Sequence, residues 1–532
     1  MKIAIINTGG TISCVGDPLA PMSAEDFAKA SKQLLDPILK QGFTELSIDY
    51  LTSVGFPESK THTLDSTNLQ PTDWCIMAKA ILDNYPTYDG FVVLHGTDTM
   101  DFTGTALPFL LNGTDAEGNG TAVLSKPVII TGSQMPMYHQ DAASQPLSLN
   151  FNTDAFQNVC GAVASACSGI PEVGVYFQNQ LYRGSRAVKT NASEFNAFSS
   201  PNYPALAEYG VELNLFNDNW LPGPVHDTVS LDAPSVLAAQ KARLAAIDDR
   251  IDQCPVMQVS AFPARYSMSP PKAFIADLIG AVVAAGAKGI VLESYGEGNF
   301  PSGNPDKPWL GAIYQALKTA NDGGVQIADC TQVLAGTVNS NAYAAGAWLP
   351  QVGALAPADM TPMAALVKLM ILMASSWSRD QLRSLFQTNL VGEMVSVNSL
   401  DSRTNSTLPP SQSLTTLDGS ATLVNDASLG PVLWGANKVA ASQPIKLWSM
   451  PNPPSAQDLP GRLVMQDDGN LVFYSRNNQA LWASDTGNPE GASSKLILAG
   501  TFDSERPSAS SVLLQVYDYS DSRVTSVIYR SN

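Results

Sequence analysis

Four short runs constrain the chain most: residues 3–6, 91–94, 128–130 and 290–292 are continuously apolar and rich in β-branched side chains. Runs of this length and composition suit strands buried on both faces of a parallel sheet. Each closes on a small or polar cluster: Asn7-Thr8-Gly9-Gly10, His95-Gly96-Thr97-Asp98, Thr131-Gly132-Ser133 and Ser294-Tyr295-Gly296. In open α/β sheets ligands sit beyond the carboxyl ends of the strands, where these clusters fall. Helical stretches lie between them. One opens at Pro71-Thr72-Asp73-Trp74, with proline and acid in the first turn, and another covers residues 362–374. An α/β architecture therefore runs to residue 395. A break near Pro222-Gly223-Pro224 divides a larger part, 1–225, from a smaller one, 226–395.

After Met394 the pattern changes. Residues 398–413 are rich in Ser, Thr, Asn and Pro, so 396–412 reads as a linker. Beyond it helical periodicity gives way to short strands with Asp-Gly and Gly-Asn turns. Leu423-Val424 precedes Trp434 at the spacing at which Leu471-Val472 precedes Trp482. A third, degenerate copy runs from Leu513-Leu514 to Ile528-Tyr529. Three similar β units predict a pseudo-symmetric all-β domain over 413–532.

Composition excludes several classes. Acids outnumber bases 48 to 30, for a net charge of −18 with no basic run, so nucleic acid is not an expected partner. A 44% hydrophobic content excludes wholesale disorder. The six cysteines show no CxxC pairing and read as buried free thiols in a reducing compartment. The histidines (His62, His95, His139, His226) lack the spacing that places two ligands on one helical face, so neither a metal nor another cofactor is expected. No apolar run approaches the roughly 18 residues of a membrane span, and the start lacks an apolar leader of about 7–15 residues. The reading is cytoplasmic, without membrane insertion; export, if any, needs a route without a cleavable signal.

Hydroxyls dominate the strand ends. Thr11 follows a Gly-Gly turn, where a missing Cβ lets a substrate approach the backbone and amide N–H groups face a developing oxyanion. Thr97-Asp98 follows another strand. A threonine attacks only when a base takes its proton, and with no suitable histidine that base is a carboxylate, a phenol or a neutralised lysine. One such threonine alone is more often a turn or cap residue; four clusters at strand ends point to a site.

Thr8-Gly9-Gly10-Thr11-Ile12 and His95-Gly96-Thr97-Asp98-Thr99-Met100 resemble the two signature motifs of bacterial-type L-asparaginases. Asp65-Ser66-Thr67-Asn68-Leu69, Pro127-Val128-Ile129-Ile130-Thr131-Gly132 and Leu181-Tyr182-Arg183-Gly184-Ser185-Arg186 agree, the last being most similar to the cytoplasmic type I branch. The resemblance covers about residues 1–395. It implies a two-domain α/β fold and hydrolysis of asparagine to aspartate and ammonia through a threonine acyl-enzyme. Thr11 then corresponds to the attacking residue, and Thr97, Asp98 and Lys189 to a second cluster. Ser66 and Thr67 hold the substrate α-carboxylate, Asp98 its α-amino group, and a homodimer or homotetramer is implied. Two departures stand out. Residues 13–27 contain no tyrosine, where the family places one that helps activate the first threonine. Ala335-Gly336-Thr337-Val338-Asn339 also offers no acid like the one secreted relatives lend to a neighbouring subunit.

In the C-terminal part, Gln466, Asp468, Asn470, Val472 and Tyr474 alternate. Period two predicts one strand face bearing two amides, a carboxylate and a phenol, which match vicinal sugar hydroxyls. The spacing resembles the mannose-binding motif of bulb-type lectins, which fold as a three-sided β-prism. The resemblance spans about residues 413–532. Asp418, Ser420, Thr422, Val424 and Asp426 mark an eroded first site, and the third repeat retains Tyr517 at best. Trp434, Trp482 and Tyr529 are expected in the packed centre. The implied protein is an asparaginase carrying a mannose-type glycan-binding module. Two alternatives are a glycan-binding protein on a catalytically impaired asparaginase scaffold, and an amidohydrolase acting on glutamine or another amide.

Overall fold

Eight strands form the first sheet of the computed structural model: β1 (Lys2–Asn7), β2 (Ser47–Tyr50), β3 (Gly90–Leu94), β4 (Val128–Thr131), β5 (Val173–Phe177), β6 (Gln180–Arg183), β7 (Ala207–Tyr209) and β8 (Leu213–Leu215). Their order is β8-β7-β6-β5-β4-β3-β1-β2. The structure describes all residues except 44, 141–144, 225, 339–342, 404, 418, 438–442, 490, 492, 522 and 532, together with the side chain of residue 218. Asn339 and Asp418, named above, lie outside the described residues.

β1 to β5 run parallel, and β6 to β8 continue antiparallel. The continuous apolar runs are explained by burial on both faces. Ala4, Ile6, Phe91, Val93, Val128 and Ile130 enter one core with α2 (Pro71–Asn84) and α3 (Met100–Leu111). Ile3, Ile5, Val92, Leu94 and Ile129 enter a second core, with α1 (Ala24–Leu34) and α4 (Ala155–Ala166). The helix expected at Pro71 is α2, with Pro71 in its first turn and the Gln70 N–H donating to Asp73 at 2.7 Å.

A second, four-stranded parallel sheet is ordered β9-β10-β11-β12 (Val256–Ser260, Gly289–Ser294, Gln326–Thr331, Ala354–Leu355). The boundary expected at 225/226 does not separate the cores. The following helix α5 (Pro234–Ile251) packs Val236, Leu244 and Ile247 beside Trp74 and Leu107. Gln240 donates to the Leu110 carbonyl at 2.6 Å, and Arg243 to those of Phe109 and Asn112 at 3.1 Å. Only beyond it do α6 (Phe274–Ala284) and α7 (Ala312–Asp322) build a separate core on the second sheet through Ile275, Ile279, Ile313 and Leu317. The expected helix at 362–374 is α8 (Pro362–Ala374), capped by Thr361 Oγ1 accepting the Ala364 N–H at 3.1 Å. α8 returns to the first core through Val367, Met370 and Ile371.

The chain divides into two compact units, Met1–Val395 and Ser396–Asn532. The second unit consists of three four-stranded antiparallel sheets around one core containing Leu400, Leu423, Leu433, Leu463, Phe473, Leu496 and Leu514. Here the linker expectation is corrected. Ser399–Asp401 and Thr407–Leu408 are strands that pair Leu400 with Leu496 and Leu408 with Leu463. Both leucines are buried in a polar stretch whose composition masks them.

The first unit ends in buried charge. Lys368 on α8 and Glu393 are both wholly buried and paired, and Lys368 Nζ also donates to the Thr388 carbonyl at 2.6 Å. Arg186 pairs with Asp359 at 2.7 Å, and its Nε donates to the Gly392 carbonyl at 2.7 Å. Asp359 also accepts the Val395 N–H at 2.8 Å. Removing one member of a buried pair strands the other charge, at a cost of about 3–5 kcal/mol. Glu393→Gln is therefore expected to lower the urea-unfolding free energy by about 3 kcal/mol, with the Lys368→Met/Glu393→Leu double variant regaining most of it. A Glu393→Gln loss no larger than that of an exposed substitution contradicts this.

Candidate active site

The strand-end loops meet backbone to backbone. Gly10 has φ +75° and donates its N–H to the Leu64 carbonyl at 2.9 Å; a Cβ there would lie 2.3 Å from Gly96 Cα. A Cβ on Gly96 would lie 2.4 Å from Ser66 Oγ, and one on Gly132 2.3 Å from the His95 carbonyl. Glycine at these positions closes the loops after β1, β3 and β4 onto the segment carrying Ser66. β2 lies on one side of β1 and β3 on the other, so the cluster stands at a topological switch point.

Lys189 comes from the short strand Val188–Lys189. Its Nζ donates to Thr97 Oγ1 at 2.9 Å and to Asp98 Oδ1 at 2.7 Å. The Thr97 hydroxyl faces Gln134 Oε1 at 3.5 Å. Thus Thr97, Asp98 and Lys189 are within hydrogen-bond reach. Lys189 is 19% exposed and Asp98 53%, so the carboxylate opens to solvent while the ammonium is largely enclosed. Thr11 begins the 3-10 turn Thr11–Ser13 directly after Gly10, and the Gly10–Gly96 contact sets it beside the loop bearing Thr97.

Ser66 is buried, and its hydroxyl has no partner among the described residues. An unpaired buried hydroxyl is costly and readily accepts a ligand. Thr67 is exposed, and both its hydroxyl (3.2 Å) and its N–H (3.1 Å) donate to Asp65 Oδ1. Its hydroxyl must therefore turn from Asp65 to donate to an incoming carboxylate.

His95 supports the loop from below. Its Nδ1 lies 2.6 Å from the Gly96 carbonyl, which can only accept, so Nδ1 carries the proton and Nε2 accepts from Thr103 Oγ1 at 2.9 Å. Burial pushes its pKa down to about 4. The residues replacing the loop tyrosine form a small hairpin, Cys14 opposite Pro21 and Val15 opposite Ala20, with Leu19 exposed. One phenol that backbone contact brings close to the Thr11 turn is Tyr138, next to Met137, whose N–H donates to the Ile12 carbonyl at 3.1 Å. Tyr138 Oη is bonded to Ser31 Oγ at 2.8 Å, and burial pushes its pKa up to about 12, so it is no base for Thr11.

Gln134 escaped the sequence reading. Its amide links Thr97 to the Glu194 carbonyl (3.2 Å), and Asp154 accepts its N–H at 2.9 Å and that of Met135 at 3.1 Å. Its signal was position, two residues beyond Thr131-Gly132 at a strand end.

A threonine, an aspartate and a lysine so joined, beside a Gly-Gly-Thr turn, lead to comparison with known proteins. The family model described as Asparaginase, N-terminal, matches residues 2–221, and the Glutaminase/Asparaginase C-terminal domain matches residues 272–386. L-asparaginase 1 of Escherichia coli (strain K12) is 33% identical over 335 residues, covering 63% of this chain and 83% of that protein. The chain belongs to the asparaginase family. The L-asparaginase of Thermococcus kodakarensis is 28% identical over 399 residues, 74% of this chain and 99% of the relative. The crystal structure of L-asparaginase I from Vibrio cholerae matches with a TM-score of 0.54 at 30% identity, over 74% of this chain and 99% of the other. The asparaginase unit is thus an amidohydrolase scaffold of the two-domain α/β type. Among the described residues no group of three His, Cys, Asp or Glu side chains is placed to hold a metal ion, and no helix is long and apolar enough to cross a membrane. All six cysteines are free.

In the second unit the alternating motif does not lie on one strand, contrary to the expectation from its period. One strand ends at Met465 and the next starts at Leu471, so Gln466, Asp468 and Asn470 wrap the intervening turn. Asp-Gly at 468–469 makes that turn, with Gly469 at φ +87°. Two contacts are internal to the motif. Gln466 Nε2 donates to Tyr474 Oη at 2.9 Å, the Asn470 N–H to Asp468 Oδ1 at 2.9 Å, and Ser484 Oγ to Asn470 Oδ1 at 3.2 Å. Tyr474 O–H and Asn470 Nδ2 remain as donors, Asp468 Oδ2 and Gln466 Oε1 as acceptors. In the first repeat two of the counterparts are engaged. Asp426 accepts from Ser428 and Leu429, and Ser420 Oγ accepts the Phe502 N–H at 2.7 Å. Tyr517 is buried against Tyr519. Trp482 packs edge-on to Trp448, 5.6 Å between rings, and with Tyr529 against the core, whereas Trp434 is half-buried apart from it.

His95 predicts a pH effect. A base whose pKa falls from 6.5 to about 4 on folding binds fewer protons folded than unfolded, so its contribution is complete above 6.5 and lost as pH falls towards 4. His95→Gln is expected to remove this dependence. In urea unfolding, the gap between wild type and variant should narrow by about 3 kcal/mol from pH 7 to pH 4; a constant gap contradicts it.

Proposed function

We propose that the protein hydrolyses L-asparagine to aspartate and ammonia at the strand-end cluster. The observation carrying this reading is the Lys189 ammonium joining Thr97 and Asp98 beside the Gly-Gly-Thr11 turn. Thr11 Oγ attacks the side-chain amide carbon, its proton passes to the amide nitrogen, the C–N bond breaks and ammonia leaves, giving a threonine ester. Water then adds to the ester carbon, the C–O bond to Thr11 breaks, Thr11 Oγ recovers a proton and aspartate is freed. Lys189, once unprotonated, takes the Thr97 proton while Thr97 receives one from the attacking water. Asp98 steadies the charges and presents its solvent-facing oxygen to the substrate ammonium. Ser66, with its unpaired hydroxyl, and Thr67 receive the α-carboxylate. Hydroxyls for one end and a carboxylate for the other suit a small zwitterion, and the L-asparaginase names of the relatives agree. A homodimer or homotetramer follows the same reading.

The test is ammonia release. Purified protein should release it from asparagine, and Thr11→Ala, Thr97→Ala and Lys189→Met should each lower kcat by about 10²–10⁴-fold with a smaller change in KM. Release from glutamine at equal or greater kcat/KM would favour the broader amidohydrolase reading. No release from either amide would leave the impaired scaffold.

A second reading belongs to the C-terminal unit: a mannose-type glycan-binding module with one working site. The donors left on Tyr474 and Asn470 and the acceptors left on Asp468 and Gln466 favour it, as do the three antiparallel sheets around one core. One shallow site binds a monosaccharide weakly, so retention on a multivalent surface depends on several chains held together. Wild type should be retained on immobilised mannose and eluted by free mannose, and Asp468→Ala should flow through. Equal retention of the two proteins sinks the assignment.

A further inference from the structure

A hydroxyl oxygen has three directions to fill, one O–H bond and two lone pairs. At Thr97 the Lys189 ammonium, which can only donate, takes one lone pair at 2.9 Å. The hydrogen then belongs on the other neighbour, Gln134, whose side-chain oxygen lies 3.5 Å away. Which end of that amide faces Thr97 is decided by its second contact. Gln134 Nε2 donates at 3.2 Å to the Glu194 carbonyl, which can only accept, so the amide oxygen is the atom turned to Thr97. The backbone beneath is held as firmly. Asp154, buried just before α4, accepts the N–H groups of Gln134 at 2.9 Å and Met135 at 3.1 Å. Asn158 on α4 donates to Asp154 at 3.2 Å and to the Gly132 carbonyl at 2.9 Å. The loop after β4 is therefore tied to α4 by its backbone, and through one side chain to the loops that carry Thr97 and follow Lys189. With the lysine on one lone pair and the hydrogen on Gln134, the second lone pair of the buried Thr97 hydroxyl is left for an incoming water.

We propose that Gln134 is a positioning residue for the water step: it holds the Thr97 hydroxyl by its hydrogen and so keeps a lone pair of Oγ1 turned to the water that opens the ester. The role rests on the amidohydrolase reading. In that step the unprotonated Lys189 amine takes the Thr97 hydrogen, Oγ1 takes a proton from the water, and the hydroxide so formed bonds to the ester carbon. The new O–H then comes to rest on Gln134. The 3.5 Å distance leaves the hydroxyl room to turn between Gln134 and Lys189, and catalytic hydrogen bonds of this kind tighten once substrate is bound. Because ammonia has already left, a variant's defect shows only after its release. Gln134→Met keeps the length of the side chain and removes both of its hydrogen bonds. Its kcat for asparagine is expected to fall about tenfold, with KM falling alongside and kcat/KM within about threefold of wild type. Rapid mixing should show a burst of about one ammonia per chain before the slower steady rate. Gln134→Glu keeps an oxygen for the Thr97 hydrogen but loses the donor to Glu194, and its kcat should recover to within about threefold of wild type. Were Gln134 only a bridge between loops, the carboxylate facing the Glu194 carbonyl would be as harmful as methionine, and that result overturns the proposal. So does a joint fall of kcat and kcat/KM without a burst, which marks a role in the fold. Gln134→Ala removes the same bonds should the methionine variant fail to fold. Wild type that releases no ammonia from either amide refutes the amidohydrolase reading and this role with it; an active wild type with unaffected variants refutes this role alone.

Discussion

The first unit depends on backbone approaching backbone. Gly10 touches Gly96, Gly96 leaves room only for Ser66, and Gly132 lies against the His95 carbonyl. Any side chain at these places would push apart three loops that come from separate stretches of sequence. The close approach allows a hydroxyl, a carboxylate and an ammonium to converge although none is near another in the chain except Thr97 and Asp98. It also explains why His95 is neutral and fully hydrogen-bonded. It lies beneath the contact, where neither an unpaired nitrogen nor a charge is easily accommodated.

Charge is handled differently elsewhere in the unit. The large net negative charge is mostly solvated, but a few cations are taken deep inside and matched singly: Arg183 with Glu172, Arg186 with Asp359, Lys368 with Glu393. Such pairs add little net stability over apolar residues of the same size, yet they penalise any arrangement that separates them. They fix how the segment after α8 returns to the first core. Arg186 lies three residues before Lys189, so one of these locks adjoins the lysine's strand.

Much of this was legible in the sequence. The continuous apolar runs became β1, β3, β4 and β10, because a strand covered on both faces has no polar side to display. Proline and acid at Pro71-Thr72-Asp73 marked the start of α2 correctly. What was missed has physical causes. Leu400 and Leu408 are single apolar residues in a polar stretch, and composition alone cannot distinguish a linker from a short strand that buries one leucine among polar neighbours. The turn at Asp468-Gly469 interrupts an alternation that period two reads as one strand, because a tight hairpin preserves the alternation across its loop. Gln134 carries no motif of its own, and Arg186 and Asp359, 173 positions apart, leave no local pattern. The Thr97–Lys189 contact was reached through resemblance, since nothing in the spacing of those residues requires them to meet.

The end of the asparaginase unit bears on how such chains are assembled from parts. Sequence similarity to the family's C-terminal domain ends at residue 386, but the counter-ion of buried Lys368 is Glu393, and Asp359 holds the N–H of Val395. The structural end of the unit is therefore several residues later than the end of that family model, as the full-length relatives' coverage also indicates. A fragment cut at the model's end carries an unneutralised ammonium in its core. One cut after Val395 keeps the Lys368–Glu393 and Arg186–Asp359 pairs and the Val395 N–H bond. Grafting another module onto this enzyme scaffold, or this C-terminal unit onto another protein, should respect that later seam.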